Sequence, residues 1–309
     1  MLNPIHLRTL AAVVRTGSFA DAARQLGYTG SAVSQQIAAL ERAVRVPLFE
    51  RDAQSIRATP AASFLAEGAH DVLAGIGALE DDMRELSEGN LGRLRLGSFP
   101  TASERLLPAA LADYLHAYPD VEVELDEGEP YELVPLLQDS VLDAAVVYRY
   151  DLVPQGWPRS LVVTDLFDED LVLLLPADHP MAGQREIALG SLAEQRWVSS
   201  REGTAGATCL TRLCAQAGFA PRIGFRSNDY DVIHGFVRSG LGIALVPSLA
   251  LEPEGQIAVA SLTGVTMQRH VAALRRGVTV SAPAPAAVRA LAGAADALVE
   301  ALPGLWSAG

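Results

Sequence analysis

Apolar residues recur three and four positions apart along the first 88 residues, and beyond them strand-like and helix-like patterns alternate to the end of the chain. The first periodic segment runs through Leu2, Ile5, Leu7, Leu10, Ala11 and Val14, opened by Asn3-Pro4, a cap followed by a proline suited to a first helical turn. From Ser18 to Val44 the pattern predicts two short helices joined by a tight turn. Ser18 caps the first, with Asp21 as its capping-box partner, and Ala22, Ala23 and Leu26 form its inward face. Gly27 supplies the turn, where a positive φ costs little. Thr29 or Ser31 caps the second helix, which buries Val33, Ile37, Leu40 and Val44. The helix then presents Ser34, Gln35, Gln36 and Arg42, side chains that read base edges and phosphates in a DNA groove. Pro47 stops it, and the residues that follow suit a short β-wing carrying Arg51 and Arg57.

From Ala61 to Glu88 one long helix is expected, with Leu65, Ala69, Val72, Ile76, Leu79, Met83 and Leu86 alternately four and three apart. That spacing is a heptad seam and calls for a partner helix. Leu65, Val72, Ile76, Leu79 and Met83 are the expected dimerisation residues. Gly68, Gly75 and Gly77 weaken the helix in isolation, each by about 1 kcal/mol relative to Ala, so packing must hold it. Gly89-Asn90 ends it as a hinge.

Residues 91–309 read as an α/β body with largely parallel sheets. Two similar α/β units, joined by crossovers near residues 163–166 and 264–270, describe a hinged pair of lobes. In such a body ligands sit beyond the carboxyl ends of the strands. Four segments reach that edge: Ser98-Phe99-Pro100-Thr101 with Ser103 one turn on, Tyr148-Arg149, Ser199 to Thr204 with Ser200 and Arg201, and Asn228-Asp229-Tyr230. The two arginines favour a carboxylate, which they pair bidentately. Glu127, Glu129 and Asp229 could instead meet an amine, and an amino acid satisfies both.

Charge sharpens the division. Residues 1–62 hold seven Arg against two Asp and two Glu, a net +3 in a chain of net −13, which leaves −16 for the rest. A basic head on an acidic body is the electrostatic footprint of DNA binding. All 24 basic residues are Arg. No run approaches the ~20 apolar residues of a membrane helix, and no secretory signal is visible, so a cytoplasmic, nucleoid-associated protein is expected. Cys209 and Cys214 suit neither a zinc site nor a redox pair and read as buried thiols. The six histidines make no pair at metal-ligand spacing, and no nucleophile elbow, P-loop or dinucleotide fingerprint is present. Neither a cofactor, a metal nor a catalytic residue is expected.

The run from His6-Leu7-Arg8 through Gly17-Ser18-Phe19, Ala22-Ala23, Leu26, Ser31 to Ile37, Leu40-Glu41 and Pro47-Leu48-Phe49-Glu50-Arg51 resembles the LysR-type transcriptional regulators of bacteria. The resemblance extends in order and length over the whole chain. It implies a winged helix-turn-helix over 1–60, a linker helix over 61–89 and a periplasmic-binding-protein-like effector domain over 90–309, with lobe I at about 91–163 and 268–300 and lobe II at about 166–264. It implies a homodimer or homotetramer on double-stranded DNA, with a small effector, a carboxylate or amino acid, bound between the lobes. Gly30 and Gln54 stand where the family commonly has Gln and Arg, and Ala58 to Ala62 replaces a Leu-Thr-x-Ala-Gly run, so a base contact and a wing phosphate contact are altered. The alternatives are a solute-binding protein, which the basic head opposes, and a regulator without effector control.

Overall fold

The computed structural model describes residues 2–51, 56–88, 92–251, 255–277 and 283–308. The Gly89-Asn90 hinge, Gln54 and the side chain of Arg51 lie outside the described residues. Helix α1 (Pro4–Thr16) opens with Asn3 accepting the Ile5 amide and closes at Gly17, φ 68°. It buries Leu7, Leu10, Ala12 and Val13, while Leu2 and Ile5 of the expected stripe stay exposed. Ser18 caps α2 (Phe19–Leu26) by accepting the Asp21 amide. The Asp21 carboxylate turns outward to Arg24, so the reciprocal half of the capping box is not made. Gly27, φ 69°, turns the chain into α3 (Gly30–Val44), which Thr29 caps through the Ala32 amide.

Helix α3 ends three residues before Pro47. Arg45 takes the left-handed conformation (φ 59°), and the Glu41 carboxylate accepts the Leu48 amide at 2.8 Å. Strands β1 (Phe49–Arg51) and β2 (Ile56–Ala58) pair antiparallel as the wing. Thr59 then caps α4 (Pro60–Glu88), the 29-residue linker helix. Ala62, Ala66 and Ala69 close the head's core of Leu7, Leu10, Val13, Val33, Ile37 and Leu40.

The body begins with β3 (Arg93–Ser98), α5 (Pro100–Arg105) and α6 (Leu107–Ala117). The two helices are separated at Leu106, because Pro108 belongs to the first turn of a new helix and has no amide to continue the old one. There follow β4 (Glu122–Glu127), α7 (Pro130–Gln138) and β5 (Ala144–Tyr150). Strand β6 (Leu161–Pro176) is one continuous run of 16 residues. After it come β7 (Glu186–Ile187), β8 (Arg196–Ser199), α8 (Ala205–Gln216), β9 (Arg222–Arg226), α9 (Tyr230–Arg238), β10 (Ile243–Pro247) and β11 (Ile257–Leu262). Strand β12 (Gln268–Arg276), α10 (Pro283–Ala301) and β13 (Leu305–Ser307) complete the chain. Between β7 and β8 the chain forms one short 3-10 turn, Leu189–Leu192.

The main path of strands runs β4-β3-β5-β12-β6-β10-β8-β9. Parallel pairs (β3 with β4 and β5, β8 with β9 and β10) sit on either side of antiparallel β12 and β6, so the body is mixed where a largely parallel one was expected. Strand β6 pairs with β12 over Leu161–Asp170 and with β10 over Leu171–Leu174. It therefore belongs to both lobes, and it changes partner between Asp170 and Leu171, later than the crossover expected at 163–166. The chain returns to lobe I between β11 and β12. A cleft lies between the lobes, over this changeover.

Candidate functional site

In the head, α3 projects Gln35 and Arg42 into solvent and Ser34 half so. Gln36 is held back: its Oε1 accepts the Thr9 hydroxyl of α1 at 2.5 Å, which makes it a brace between helices. Ser18 and Thr29 spend their hydroxyls on capping, and Ser31 Oγ lies 3.0 Å from Thr29 Oγ1. Arg57 is exposed on the wing opposite Glu50. At Gly30 an added Cβ meets nothing within 4 Å, so only the missing side chain, and no crowding, separates this position from the resembled family.

The cleft is built around Arg269. Its Nε donates to Glu169 Oε1 at 2.6 Å and its Nη2 to Thr101 Oγ1 at 2.8 Å. Glu169 Oε2 accepts the Leu249 amide at 2.7 Å. The guanidinium carbon stands 4.8 Å from the Phe99 ring centre and 5.0 Å from that of Tyr148. Both charged side chains are closed off from solvent, 2% and 0% exposed. Burial opposes the charge on Arg269, but Glu169 together with Tyr150, Tyr230 and Tyr148 outweighs it, so its pKa is raised. Register explains the grouping. Arg269 lies between Tyr150 of β5 and Glu169 of β6, one residue in each strand turned to the same face.

Two small cavities flank this pair. The first, about 20 Å³, is lined by Phe99, Thr101, Glu129, Tyr148, Asn228 and Arg269, with Pro100, Tyr150, Ser200, Thr204, Gly206 and Tyr230. The second, about 30 Å³, continues into lobe II past Ser200, Gly206 and Tyr230 toward Leu171, Val198, Leu210 and Ile233. Glu129 accepts the Tyr148 hydroxyl and, across the lobes, the Asn228 amide at 3.2 Å. Burial raises its carboxyl pKa, the Tyr148 hydrogen bond and Arg269 working against that rise. Burial likewise pushes the Tyr230 hydroxyl to about 12.

Of the expected effector residues, Phe99, Pro100, Thr101, Tyr148, Ser200 and Asn228 meet at this cleft. Ser98 is buried beneath it, its hydroxyl on the Phe99 carbonyl, and Ser103 Oγ is buried without a protein partner. Asp229 spends its carboxylate capping α9. Arg149 is a correction: Tyr148 and Tyr150 turn into the cleft, so alternation sends Arg149 to the opposite face, exposed and across from His270. Arg201 is a second correction, exposed, with its backbone amide on Asn228 Oδ1 and its carbonyl accepting the Thr204 hydroxyl. Arg269, Glu169, Tyr150 and Gly206 were not anticipated. The missed signal was strand alternation, which along β12 puts Arg269 opposite Tyr150.

Residues 5–63 match the bacterial regulatory helix-turn-helix domain of the lysR family, and residues 87–297 match the LysR substrate binding domain. The chain belongs to the LysR family. This LysR-family regulator is 32% identical over 259 residues to a probable hydrogen peroxide-inducible genes activator of Streptomyces viridosporus, covering 84% of the chain and 81% of the relative. It is 31% identical over 218 residues to the transcriptional dual regulator GltC of Bacillus subtilis, covering 70% and 71%. Among solved structures, a Corynebacterium glutamicum OxyR mutant matches at 26% identity and TM-score 0.57 over 97% of this chain and 94% of that one. Full-length CbnR with its target DNA matches at 23% identity and TM-score 0.55, over 95% and 100%, a likeness of fold. The regulator therefore binds DNA through its head, carries a substrate binding domain and is a transcriptional regulator, not an enzyme. Among the described residues no helix is long and apolar enough to cross a membrane.

Two outcomes follow from the geometry of this LysR-family effector domain. Glu169→Gln strands the Arg269 charge in the interior and should lower unfolding stability by about 3–5 kcal/mol. Denaturant melts check it, and a variant within 1 kcal/mol of the parent, on the order of a surface ion pair, refutes the role. On the opposite face His270 bridges Asp168 (Nδ1, 2.6 Å) and Asp151 (Nε2, 2.7 Å). Partial burial lowers its pKa, but the two carboxylates outweigh it and the net shift is upward. A raised folded pKa gives stabilisation that is complete below the unfolded value, about 6.5, and fades as pH rises through the folded one. The Tm advantage of the parent over His270→Asn should shrink as pH rises from 6 through the alkaline range, an ordinary histidine titrating near 6.5. An advantage that grows with pH contradicts the assignment.

Proposed function

We propose that this regulator acts on chromosomal DNA in the cytoplasm, docked through α3 and the wing, and that a small effector entering the interlobe cleft resets that docking. The cleft around Arg269 and Glu169 carries the reading. It is the place where side chains of both lobes converge on polar groups, and Glu129–Asn228 joins the lobes across it. An effector changes the equilibrium only if it binds two lobe arrangements unequally, and a contact that spans the lobes makes that difference. Gln35 and Ser34 are the proposed base readers, and Arg42, Arg51 and Arg57 the proposed phosphate contacts. The linker seam is the proposed pairing surface. In the single chain Val72, Leu79 and Met83 are 49%, 53% and 58% exposed, whereas Leu65 and Ile76 are half-buried.

The names of several relatives raise a second reading, a peroxide sensor. The thiols weigh against it. Cys209 and Cys214 are buried in α8, Cys209 Sγ is 3.2 Å from Met267 Sδ, and burial pushes their pKa to about 12 and about 11. A thiol kept protonated and covered is a poor peroxide target.

Gel shifts with the DNA upstream of the gene, at two salt concentrations, test the head. Gln35→Ala should relax preference at one or two base pairs by about 1–3 kcal/mol. Arg57→Ala should weaken specific and random DNA alike and reduce the salt slope by about one. Equal loss on all sequences for Gln35→Ala removes it from the base readers. Leu79→Asp, which places an unpaired charge in the seam without disturbing the buried head, should dissociate the oligomer in ultracentrifugation. An unchanged oligomer assigns pairing to another surface.

A further inference from the structure

The cleft holds a carboxylate, that of Glu129, with no ion-pair partner among the described residues. Arg269 does not supply the counter-charge, because its guanidinium is already engaged by Glu169 and Thr101 and packed against Phe99 and Tyr148. A carboxylate ligand would have to displace Glu169, itself anchored by the Leu249 amide. Arg149 and Arg201, the two cations expected to receive a carboxylate, lie outside. The remaining charged side chain at the cleft is Glu129, and its hydrogen-bond partners there, Tyr148 and Asn228, are neutral. Among the described residues no Arg or His nitrogen lies within 4.0 Å of its carboxylate. A carboxylate accepts at about four lone-pair sites, so capacity remains for a donor. Hydroxyls of Ser200, Thr204 and Tyr230 and the rings of Phe99, Tyr148 and Tyr150 line the same space, a lining suited to an ammonium group.

The space beyond is apolar and short. Gly206 stands at the passage into the lobe II cavity: an added Cβ there would lie 3.0 Å from Ser200 Oγ and 3.6 Å from Tyr150 Oη. Leu171, Val198, Leu210, Ile233 and Leu245 line the far side. Cavities of about 20 and 30 Å³ admit little more than a water each, so the tail is small and the lobes part to receive it. We propose that the effector is a small compound carrying a protonated primary amine that pairs with Glu129, its short apolar part lying over Gly206 toward lobe II. This rests on the cleft being the effector site. The ammonium arrives beside Asn228, so it acts on the one side-chain contact that joins Glu129 to the other lobe.

A matched three-carbon set tests the proposal on the full-length protein: 1-propylamine, L-alanine, propionate and 1-propanol at millimolar concentration, read by thermal shift and calorimetry. Propylamine, or alanine if the source is an amino acid, should raise Tm saturably while propionate and propanol do not. Glu129→Gln, nearly isosteric and able to accept the Tyr148 hydroxyl, should weaken that binding about tenfold or more. Glu129→Asp, which keeps the charge, should retain part of it and guards against a misfolded glutamine variant. Binding of propionate in place of the amines, amine binding indifferent to Glu129→Gln, or no response to any of the four overturns the proposal. Gly206→Val separates this failure from that of the underlying reading. Amine binding that survives Gly206→Val lies outside the cleft and fails the cleft as the site. Binding lost in Gly206→Val but kept in Glu129→Gln fails only the amine.

Discussion

The Arg269–Glu169 pair is the constraint around which the effector domain is arranged. An ion pair this deep in the interior is weak evidence for stability as such, since desolvating two charges offsets much of their attraction. It does fix geometry, because each remaining polar atom must find a partner. The partners come from both lobes: Thr101 at the start of α5 on one side, the Leu249 amide after β10 on the other. The pair also sits on the two strands that carry the chain between lobes, with β6 exchanging β12 for β10 one residue beyond Glu169. Lobe motion that separated Thr101 from Leu249 would strand a charge. Movement is therefore confined to rotation about this point.

The layers of this fold were legible to different depths, for physical reasons. Helix ends in the head were readable because caps are local: Asn3, Ser18, Thr29 and Gly27 act within three residues of themselves. Gln36 was misjudged because its partner, Thr9, is 27 residues away, and helical periodicity alone leaves Gln36 facing outward. The α/β alternation exposed the two units, but the 16-residue β6 looked like a linker followed by a strand. Its N-terminal half, Val-Val-Thr-Asp-Leu-Phe-Asp-Glu, mixes charges with apolar residues because one face meets the buried pair and the other meets His270. In the cleft, loops following strands could be located, and they supplied Phe99, Thr101, Tyr148, Ser200 and Asn228. The charges could not, since Arg269 and Glu169 lie within strands and become a pair only through long-range register.

That register also decides the electrostatics. Read as loops, the strand ends offered Arg149 and Arg201 and suggested an anion site. Read as pleated strands, β5 turns two tyrosines inward and its arginine outward, and the cation that does enter arrives with its own carboxylate. The cleft thus offers a carboxylate, Glu129, where two arginines were expected, without any change in the loops that form it. Family membership fixes where a ligand is sought, but its chemistry belongs to the individual side chains at the site. The same distinction applies to the thiols. Relatives named for peroxide induction share the framework, whereas Cys209 and Cys214 lie five residues apart on one helix, a rise of about 7.5 Å, beyond the usual span of a disulfide.

Between cleft and DNA stands α4, 29 residues and about 44 Å long. Its first turns are committed to the head through Ala62, Ala66 and Ala69, and its later turns offer Leu79 and Met83 to solvent. One helix therefore both closes its own head and carries the proposed pairing surface. The head holds net positive charge and the body strong negative charge, so the head is drawn to DNA while the body is repelled by it. That difference in sign favours contact with the duplex through the head over contact through the effector lobes. Under the proposed function, an effector response would pass from the cleft through α4 as a change in the spacing or angle of two paired heads. Because both heads must fit one duplex together, a small angular change at the cleft becomes a difference in simultaneous engagement, and that cooperative term is where a weak ligand could exert a large effect on binding.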